Sequence, residues 1–244
     1  MEFTVFYLAL VRVPGERAHS IQIMRTCDHL LREGVDVRLI LPTRDNKLKK
    51  QVKDLRSFYG LQRTPRIYYV PALDLIRYRY LPSFFKILAA TYMLPSLFLV
   101  LVLSKALPGR KVLYVREPLL LLTSFLTKLF HRLPIIYEEH RPPPLHSWLY
   151  RLIIGRCDLV VTLTEAQAKA FRKQSTLKVV VAPDAFEPEL FAKHASEGEE
   201  ELRRKLGLPV EPRLVMYVGQ LSEWKKVEFL VDAAAEFSPS SLLV

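Results

Sequence analysis

Asp158-Leu-Val-Val-Thr-Leu-Thr-Glu-Ala-Gln-Ala-Lys-Ala-Phe-Arg-Lys-Gln-Ser-Thr-Leu-Lys-Val-Val-Val-Ala182 reads as a strand, a capped helix and a second strand. Asp158 to Leu163 has strand length, Thr164 stands where a helix cap belongs, and Leu177 to Ala182 is apolar again. Neither strand alternates polar with apolar, the pattern of a strand covered on both faces. Outward from this unit the same alternation runs along the chain. Strands are predicted at Phe3 to Leu10, Val35 to Leu41, Arg66 to Val70, Lys111 to Val115 and Pro134 to Glu138. Helices are predicted at Ala18 to Arg32, Asp45 to Phe58, Leu119 to Phe130 and Leu145 to Arg156, with a long apolar helix before Lys105. Seven strands alternating with helices specify an α/β fold with a Rossmann-like, doubly wound parallel sheet.

A second domain begins near the end of the chain. Glu197 to Leu206 is a charged helix, and Gly207-Leu-Pro-Val-Glu-Pro212 has linker composition. Leu214 to Val218 is then a strand, Gly219 breaks it, and Val227, Leu230, Val231 and Ala234 recur at helical spacing. The expected division is an N-terminal domain over 1–196, a charged helix and linker over 197–212, and the first βα unit of another domain over 213–244. The seven residues after Phe237 look too few to add an element.

The formal charge is +11, and most of it is local. Between Arg44 and Lys86 eleven Lys or Arg face three Asp, a net +8. A solvated helix face, an anionic membrane surface and a nucleic acid are the three readings of such a run. Beside it lie eighteen uncharged residues, Ile87 to Ser104, near the ~20 that span a bilayer. Pro95 and the polar Thr91, Tyr92 and Ser96 interrupt them, and predicted strands on either side belong to one sheet pattern. A helix buried against the sheet or dipping into a membrane interface is therefore favoured over a spanning one. Cys27 and Cys157 have neither CxxC spacing nor a histidine cluster, which argues against zinc and a disulfide framework. A reducing, cytoplasmic compartment follows, with peripheral contact at the inner face of the membrane as the extension of the basic and apolar region. The acidic start, Met-Glu-Phe, argues against a cleaved signal peptide.

Open parallel sheets bind ligands beyond the carboxyl ends of their strands. After the first strand comes Pro14-Gly-Glu-Arg-Ala-His-Ser20, a loop entering a helix whose amides suit an anion, though it lacks GxGxxG. Arg116-Glu117-Pro118 follows one central strand, and Glu138-Glu139-His140-Arg141 ends another. Arginine, carboxylates and histidine thus converge at one edge, where titratable clusters tend to be functional. Each taken singly is more often structural: the bland reading has His19 capping or packing a helix and Glu139 exposed. No nucleophile elbow or Cys/His pair supports covalent hydrolysis.

Pro14-Gly-Glu-Arg-Ala-His-Ser-Ile-Gln22, Tyr114-Val-Arg-Glu-Pro118, Ile136-Tyr-Glu-Glu-His140, Cys157-Asp-Leu-Val-Val-Thr-Leu-Thr-Glu165, the turn at Pro183 and Tyr217-Val-Gly-Gln-Leu-Ser-Glu-Trp-Lys225 together resemble the retaining glycosyltransferases of the GT-B fold, family 4. The resemblance covers Phe3 to Phe237. It implies an acceptor-side N-terminal domain, a donor-binding C-terminal domain, and hexosyl transfer from a sugar nucleotide with retention and without a metal. It implies no cofactor, the sugar nucleotide being a substrate. Arg116, Glu117, Glu138 and His140 would face the cleft as catalytic residues, and Gly15, Glu16, Arg17 and His19 would form an acceptor or phosphate loop. Lys225 and Gly219 would serve donor binding. Departures are Gln220 in place of an arginine common in the family, and Lys226 and Ala185 where glycine is usual. The family's E-x7-E glutamate pair would follow Val244, so the resemblance implies a C-terminally truncated, acceptor-side half, inactive alone.

Three functions stand at this point. One is that inactive half. The second is a partner of a separate donor-domain chain, seated on a membrane near a glycan or lipid-linked acceptor. The third is a non-catalytic basic module for anionic lipid or nucleic acid, with nucleic acid disfavoured because no aromatic stacking pattern interleaves the charges.

Overall fold

The computed structural model describes residues 3–44, 46–74, 84–121, 128, 132–140, 147–174, 177–188, 192, 197–219, 221, 223–237 and 241–243. The chain divides into two compact units, Met1–Asp184 and Ala185–Val244. In the first, β1 (Phe3–Leu8), α1 (Ala18–Arg32), β2 (Asp36–Pro42), α2 (Leu55–Tyr59), β3 (Arg66–Val70), α3 (Phe84–Ala106), β4 (Arg110–Val115), β5 (Ile135–Glu139), α4 (Trp148–Ile154), β6 (Leu159–Thr162), α5 (Glu165–Gln174) and β7 (Val179–Val181) follow one another. The strands form one sheet in the order β3-β2-β1-β4-β5-β6-β7, every pairing parallel. The order reverses between β1 and β4, the switch point of a Rossmann-like sheet.

Alternate side chains of each strand build two cores. Phe6, Leu8, Ile40, Leu113, Val115, Ile135, Tyr137 and Val160 point to one face, where α3, α4 and α5 supply Tyr92, Val100, Ile154 and Phe171. Val5, Tyr7, Val37, Leu39, Leu41 and Val112 point to the other, covered by Ile23, Met24 and Cys27 of α1. Asp28 of α1 is 1 % exposed and accepts the Arg63 and Gln62 amides at 2.6 and 3.2 Å, fixing the turn that leads into β3. Both cysteines are buried free thiols, Cys157 pushed up to about 12 by burial and Cys27 pushed up further, so both stay protonated.

The basic segment is not the single helix predicted over Asp45 to Phe58. Asn46 accepts the Leu48 amide and opens one 3-10 turn at Lys47–Lys50, while Asp54 accepts the Arg56 and Ser57 amides and opens α2 separately. Two caps in quick succession start two short pieces, and Gly60, at φ 64°, closes the second. Arg77 and Arg79 of the same run, part of the helix predicted over Leu119 to Phe130, and Arg141 to His146 lie outside the described residues.

The apolar segment forms α3, long enough by length and composition to cross a membrane. Its ends join β3 and β4 of the same sheet, and Leu88, Tyr92, Ser96, Val100 and Ser104 are buried at four-residue intervals. Tyr92 donates to the Ile40 carbonyl at 2.6 Å, pinning the helix over β2. Leu94, Phe98 and Val102, at 68, 70 and 45 % exposure, line the opposite side.

The second unit contains α6 (Glu199–Lys205), β8 (Arg213–Val215), α7 (Glu228–Ala233) and β9 (Ser241–Leu243). No residue of α6 is buried, and its surface carries ion pairs one turn apart, Arg203 with Glu199 and Arg204 with Glu200. Arg203 also donates to the Pro209, Val210 and Pro212 carbonyls, tying the linker back to the helix. Contrary to expectation the last residues do build an element: β9 pairs in parallel with β8, Leu214 beside Leu242. Lys226 holds the left-handed conformation, φ 49°, at the position where the resemblance expects glycine.

The side of α3 that meets the sheet can be read by mutation. Leu88→Ala should cost about 3 kcal/mol in urea unfolding, and Leu94→Ala less than about 0.5 kcal/mol. Equal costs would mean that α3 does not pack on the sheet through its Leu88 side.

Candidate functional site

Pairing of β1 with β4 sets Tyr7 beside Tyr114, and pairing of β4 with β5 sets Tyr114 beside Ile136. Residues two apart on a strand share a face. Tyr7, Tyr114, Arg116 and Glu138 therefore share the α1 side of the sheet at the carboxyl edge of the switch point. The two tyrosine rings stack at 4.7 Å with planes 27° apart. Gln22, one turn into α1, reaches the same place.

Glu138 is the hub. Tyr114 donates to its Oε2 at 2.7 Å and Tyr7 at 3.5 Å, Arg116 Nε lies 3.6 Å from Oε2, and His140 Nε2 lies 2.5 Å from Oε1. Arg116 Nη2 lies 3.0 Å from His140 Nδ1 and 2.5 Å from its Nε2, and donates to Gln22 Oε1 at 2.8 Å. Gln22 in turn donates to Asp184 Oδ1. Burial would raise the Glu138 carboxyl, but the His140 hydrogen bond, the Arg116 charge and the Tyr114 hydroxyl together hold it below the usual carboxylate range. Tyr114 and Tyr7 are pushed well above their usual values, first by burial, and remain donors. The Arg116 side chain is 3 % exposed, and its Nη1 is buried with no acceptor among the described residues. His140, at 22 %, is the member that meets solvent. The cluster thus offers a carboxylate-oriented imidazole and a guanidinium with one unused donor.

Adjacent Glu139 does something else. It is not the exposed acid its sequence position suggested: it is 3 % exposed and points to the other face. Tyr137 and Tyr150 donate to its Oε2 at 2.9 and 2.6 Å, fastening the first turn of α4 to the end of β5.

The remaining predicted residues are dispersed. Glu117 follows Arg116 but faces His19, whose Nε2 is 3.9 Å from its Oε1. Gly15 is buried, and a Cβ there would meet the Arg12 carbonyl and Ser20 Oγ at 2.7 Å, so the close turn requires glycine. Its amide is not open to an anion, since it donates to the Tyr59 hydroxyl at 2.6 Å while that hydroxyl donates back to the Gly15 carbonyl at 3.1 Å. Glu16 and Arg17 are exposed beside it. Lys225 ends a 3-10 turn of the second unit and is exposed, and a Cβ on Gly219 would meet the Tyr217 hydroxyl at 2.7 Å. Tyr7, Tyr114 and Gln22 were not predicted as site members, although the last two fall inside quoted motifs. Among the described residues no three His, Cys, Asp or Glu gather as a metal site.

No family model matches the chain, and no curated protein matches it in sequence. Solved structures do. Sucrose-phosphate synthase from Thermosynechococcus elongatus is similar over 98 % of this chain at 17 % identity and a TM-score of 0.68. HepE of Anabaena, in complex with UDP-glucose, is similar over 98 % at 17 % identity and 0.63. An Escherichia coli trehalose-6-phosphate structure bound with UDP-2-fluoro glucose is similar over 98 % at 14 % identity and 0.59. The chain spans 61, 59 and 63 % of those chains respectively. At such identities the likeness shows the fold, a Rossmann-like α/β sheet of the GT-B type.

The depressed Glu138 carboxyl has a signed consequence. Its folded value lies below its unfolded one, so its contribution to stability is whole above the ordinary carboxylate range and is lost as pH falls through the folded value. Glu138→Gln should cost about 2 kcal/mol at neutral pH and flatten the acid limb of the urea stability profile. An acid limb of unchanged slope in the variant would show that Glu138 does not carry it.

Proposed function

We propose that the chain is the acceptor side of a retaining glycosyltransferase of family 4 type, acting in hexosyl transfer from a sugar nucleotide to a glycan or lipid-linked acceptor. The Arg116–Glu138–His140 cluster at the β1/β4 switch point carries this reading, supported by a fold shared with chains solved with UDP-sugars. Breaking the bond from a sugar to its diphosphate puts positive charge on the anomeric carbon and negative charge on the leaving group. The unused Arg116 donor suits a substrate oxygen, and the partly exposed His140, its ring positioned by Glu138, suits the acceptor hydroxyl. Glu117 sits one residue from this centre, and in the Gly15–His19 segment we assign Glu16, Arg17 and His19 to the acceptor or phosphate, the Gly15 amide being taken by Tyr59. Lys225 and Gly219 we assign to the donor, and the donor itself is a substrate, with no cofactor or metal in the scheme.

On this reading the 244-residue chain binds acceptor glycan in saturation-transfer NMR but transfers nothing measurable from UDP- or GDP-sugars unaided. Supplied with a donor-binding chain, His140→Ala and Arg116→Gln should each lower transfer by ~100-fold. Unaided transfer would overturn the acceptor-half assignment alone. Binding of neither glycan nor sugar nucleotide would sink the glycosyltransferase.

The apolar stripe Leu94, Phe98 and Val102 favours a second feature, peripheral seating of the cytoplasmic protein on the inner face of an anionic membrane, near a lipid-linked acceptor and a separate donor chain. Flotation with anionic vesicles should fall at least ~10-fold in Leu94→Asp/Phe98→Asp, and weaken with salt. Equal flotation of variant and parent would remove the stripe from any membrane contact.

A further inference from the structure

The guanidinium of Arg116 is held by fewer bonds than its burial suggests. Its Nε and Nη1 are buried without a hydrogen-bond acceptor among the described residues, and Glu138 stands off at 3.6 Å from Nε. Nη2 carries the hydrogen bonds, to Gln22 Oε1 at 2.8 Å and to the His140 ring. The part played by the ring depends on which of its nitrogens holds the proton, whereas a carboxamide oxygen accepts in every state. Gln22 is thus the constant element in the aim of Arg116.

Gln22 is itself oriented from its other end, where its Nε2 donates to Asp184 Oδ1. A carboxamide turned the other way would set its NH2 against a guanidinium and its oxygen against a carboxylate, so the two partners fix its orientation between them. A gap between a cation and an anion calls for a neutral side chain with an acceptor at one corner and a donor at the other. Glutamate here would serve Arg116 and repel Asp184, and lysine would do the reverse. The backbone under Gln22 is firm: Ile23, Met24 and Cys27 beside it on α1 are buried, and the Arg17 carbonyl accepts the Ser20 and Ile21 amides.

Asp184 is placed differently. The Ala182 amide still bonds the Thr162 carbonyl of β6 at 2.8 Å, Pro183 has no amide hydrogen to continue the ladder, and Asp184 is the last residue of the first unit. β7 is an edge strand three places from β4, yet Asp184 reaches a side chain bonded to Arg116 at the end of β4. The chain therefore turns back across the strand ends as it leaves the sheet, and it does so in exposed residues, 182 to 186. The Gln22–Asp184 bond joins positions 162 residues apart, one on a packed helix and one on that exposed turn.

We propose that Gln22 is a positioning residue for Arg116 and that, through Asp184, it makes the aim of the unused Nη1 donor conditional on the path of the chain out of the first unit. With Asp184 in place, Gln22 presents its oxygen to Nη2 and the guanidinium keeps one orientation. With the 182–186 turn displaced, the carboxamide is free to rotate and the guanidinium loses the anchor that no tautomer can remove. Anything that binds the turned-out chain and shifts it alters the site without touching it. That Nη1 meets a substrate oxygen rests on the glycosyl-transfer reading; that Gln22 and Asp184 orient Arg116 does not.

The test is NMR of the 244-residue chain, reading the Arg116 side-chain N–H signals, which are assigned by their loss in Arg116→Gln. Gln22→Met, similar in length but without either bond, should raise solvent exchange of those protons at least ~10-fold. Gln22→Glu keeps the acceptor and should stay within ~2-fold of the parent, while the Asp184 and Ala185 amides shift. Asp184→Ala should raise Arg116 exchange by ~3-fold or more and broaden the Gln22 carboxamide signals. Thermal unfolding checks that each variant folds, and Asp184, being exposed, is the safer of the two positions. Unchanged Arg116 exchange in Gln22→Met overturns the positioning role, as does a Gln22→Glu as loose as Gln22→Met, which would leave only packing. Asp184→Ala without effect on Arg116 or Gln22 overturns the coupling to the chain path. In the same samples, acceptor glycan should bind ~5-fold or more weakly to Gln22→Met than to the parent. A parent that binds neither glycan nor sugar nucleotide, with Arg116 signals that respond as expected, sinks the glycosyltransferase and leaves the positioning role standing. Glycan bound by the parent and by Gln22→Met alike, with unaltered Arg116 signals, sinks the positioning role alone.

Discussion

Everything at the candidate site depends on the parallel pairing of β1 with β4, two strands about a hundred residues apart in sequence. That pairing stacks Tyr7 on Tyr114 and makes a floor of two buried hydroxyls. Glu138 can stay ionised in a buried position because those hydroxyls, Arg116 and His140 all turn toward it. Without the floor, a carboxylate at 8 % exposure would be too costly to bury charged. The acid, base and guanidinium are thus a single electrostatic unit, and its members cannot be assigned energies one at a time.

Much of this was legible in the chain. Apolar runs of strand length, alternating with helical segments, located all seven strands of the first unit, and Arg66–Val70 and Ala18–Arg32 came out with their observed limits. Convergence of Arg116, Glu138 and His140 followed from one rule, that strand ends of a parallel sheet meet at an edge. What escaped depended on partners distant in sequence. The Gly15 amide looked open to an anion because nothing local shows that Tyr59, forty-four residues on, would occupy it. Glu139 looked like an exposed acid because Tyr150, eleven residues on, supplies the hydrogen bond that makes its burial tolerable. The basic helix was misread for a local reason: Asn46 and Asp54 compete as caps, and a charge count does not register competition. β9 was missed because a three-residue strand gains its existence from pairing with β8 rather than from its own pattern.

The basic excess also divides once it is placed in space. Arg56 and Arg63 donate to the nearby carbonyls of Leu61 and Leu31, the bland role that such runs usually have. Arg44 and Lys49 are turned instead toward the carboxyl edge of the sheet, where Arg12 joins them from another strand. Net charge along the sequence could not separate the two groups, since what distinguishes them is which end of the strands they follow.

The adjacent pair Glu138 and Glu139 has a consequence for how the chain avoids misassembly. Parallel strands of Val, Ile and Leu, apolar on both faces, pair almost as well one residue out of step, so packing alone proofreads them weakly. In β5 a one-residue slip would turn Glu138 into the apolar core around Phe6 and Leu8 and draw Glu139 away from Tyr150 on α4. Two neighbouring acids, each matched to a different set of donors on opposite sides of the sheet, therefore act as a keyed joint. They make the wrong alignment of the central strands costly in charge where it would be cheap in shape.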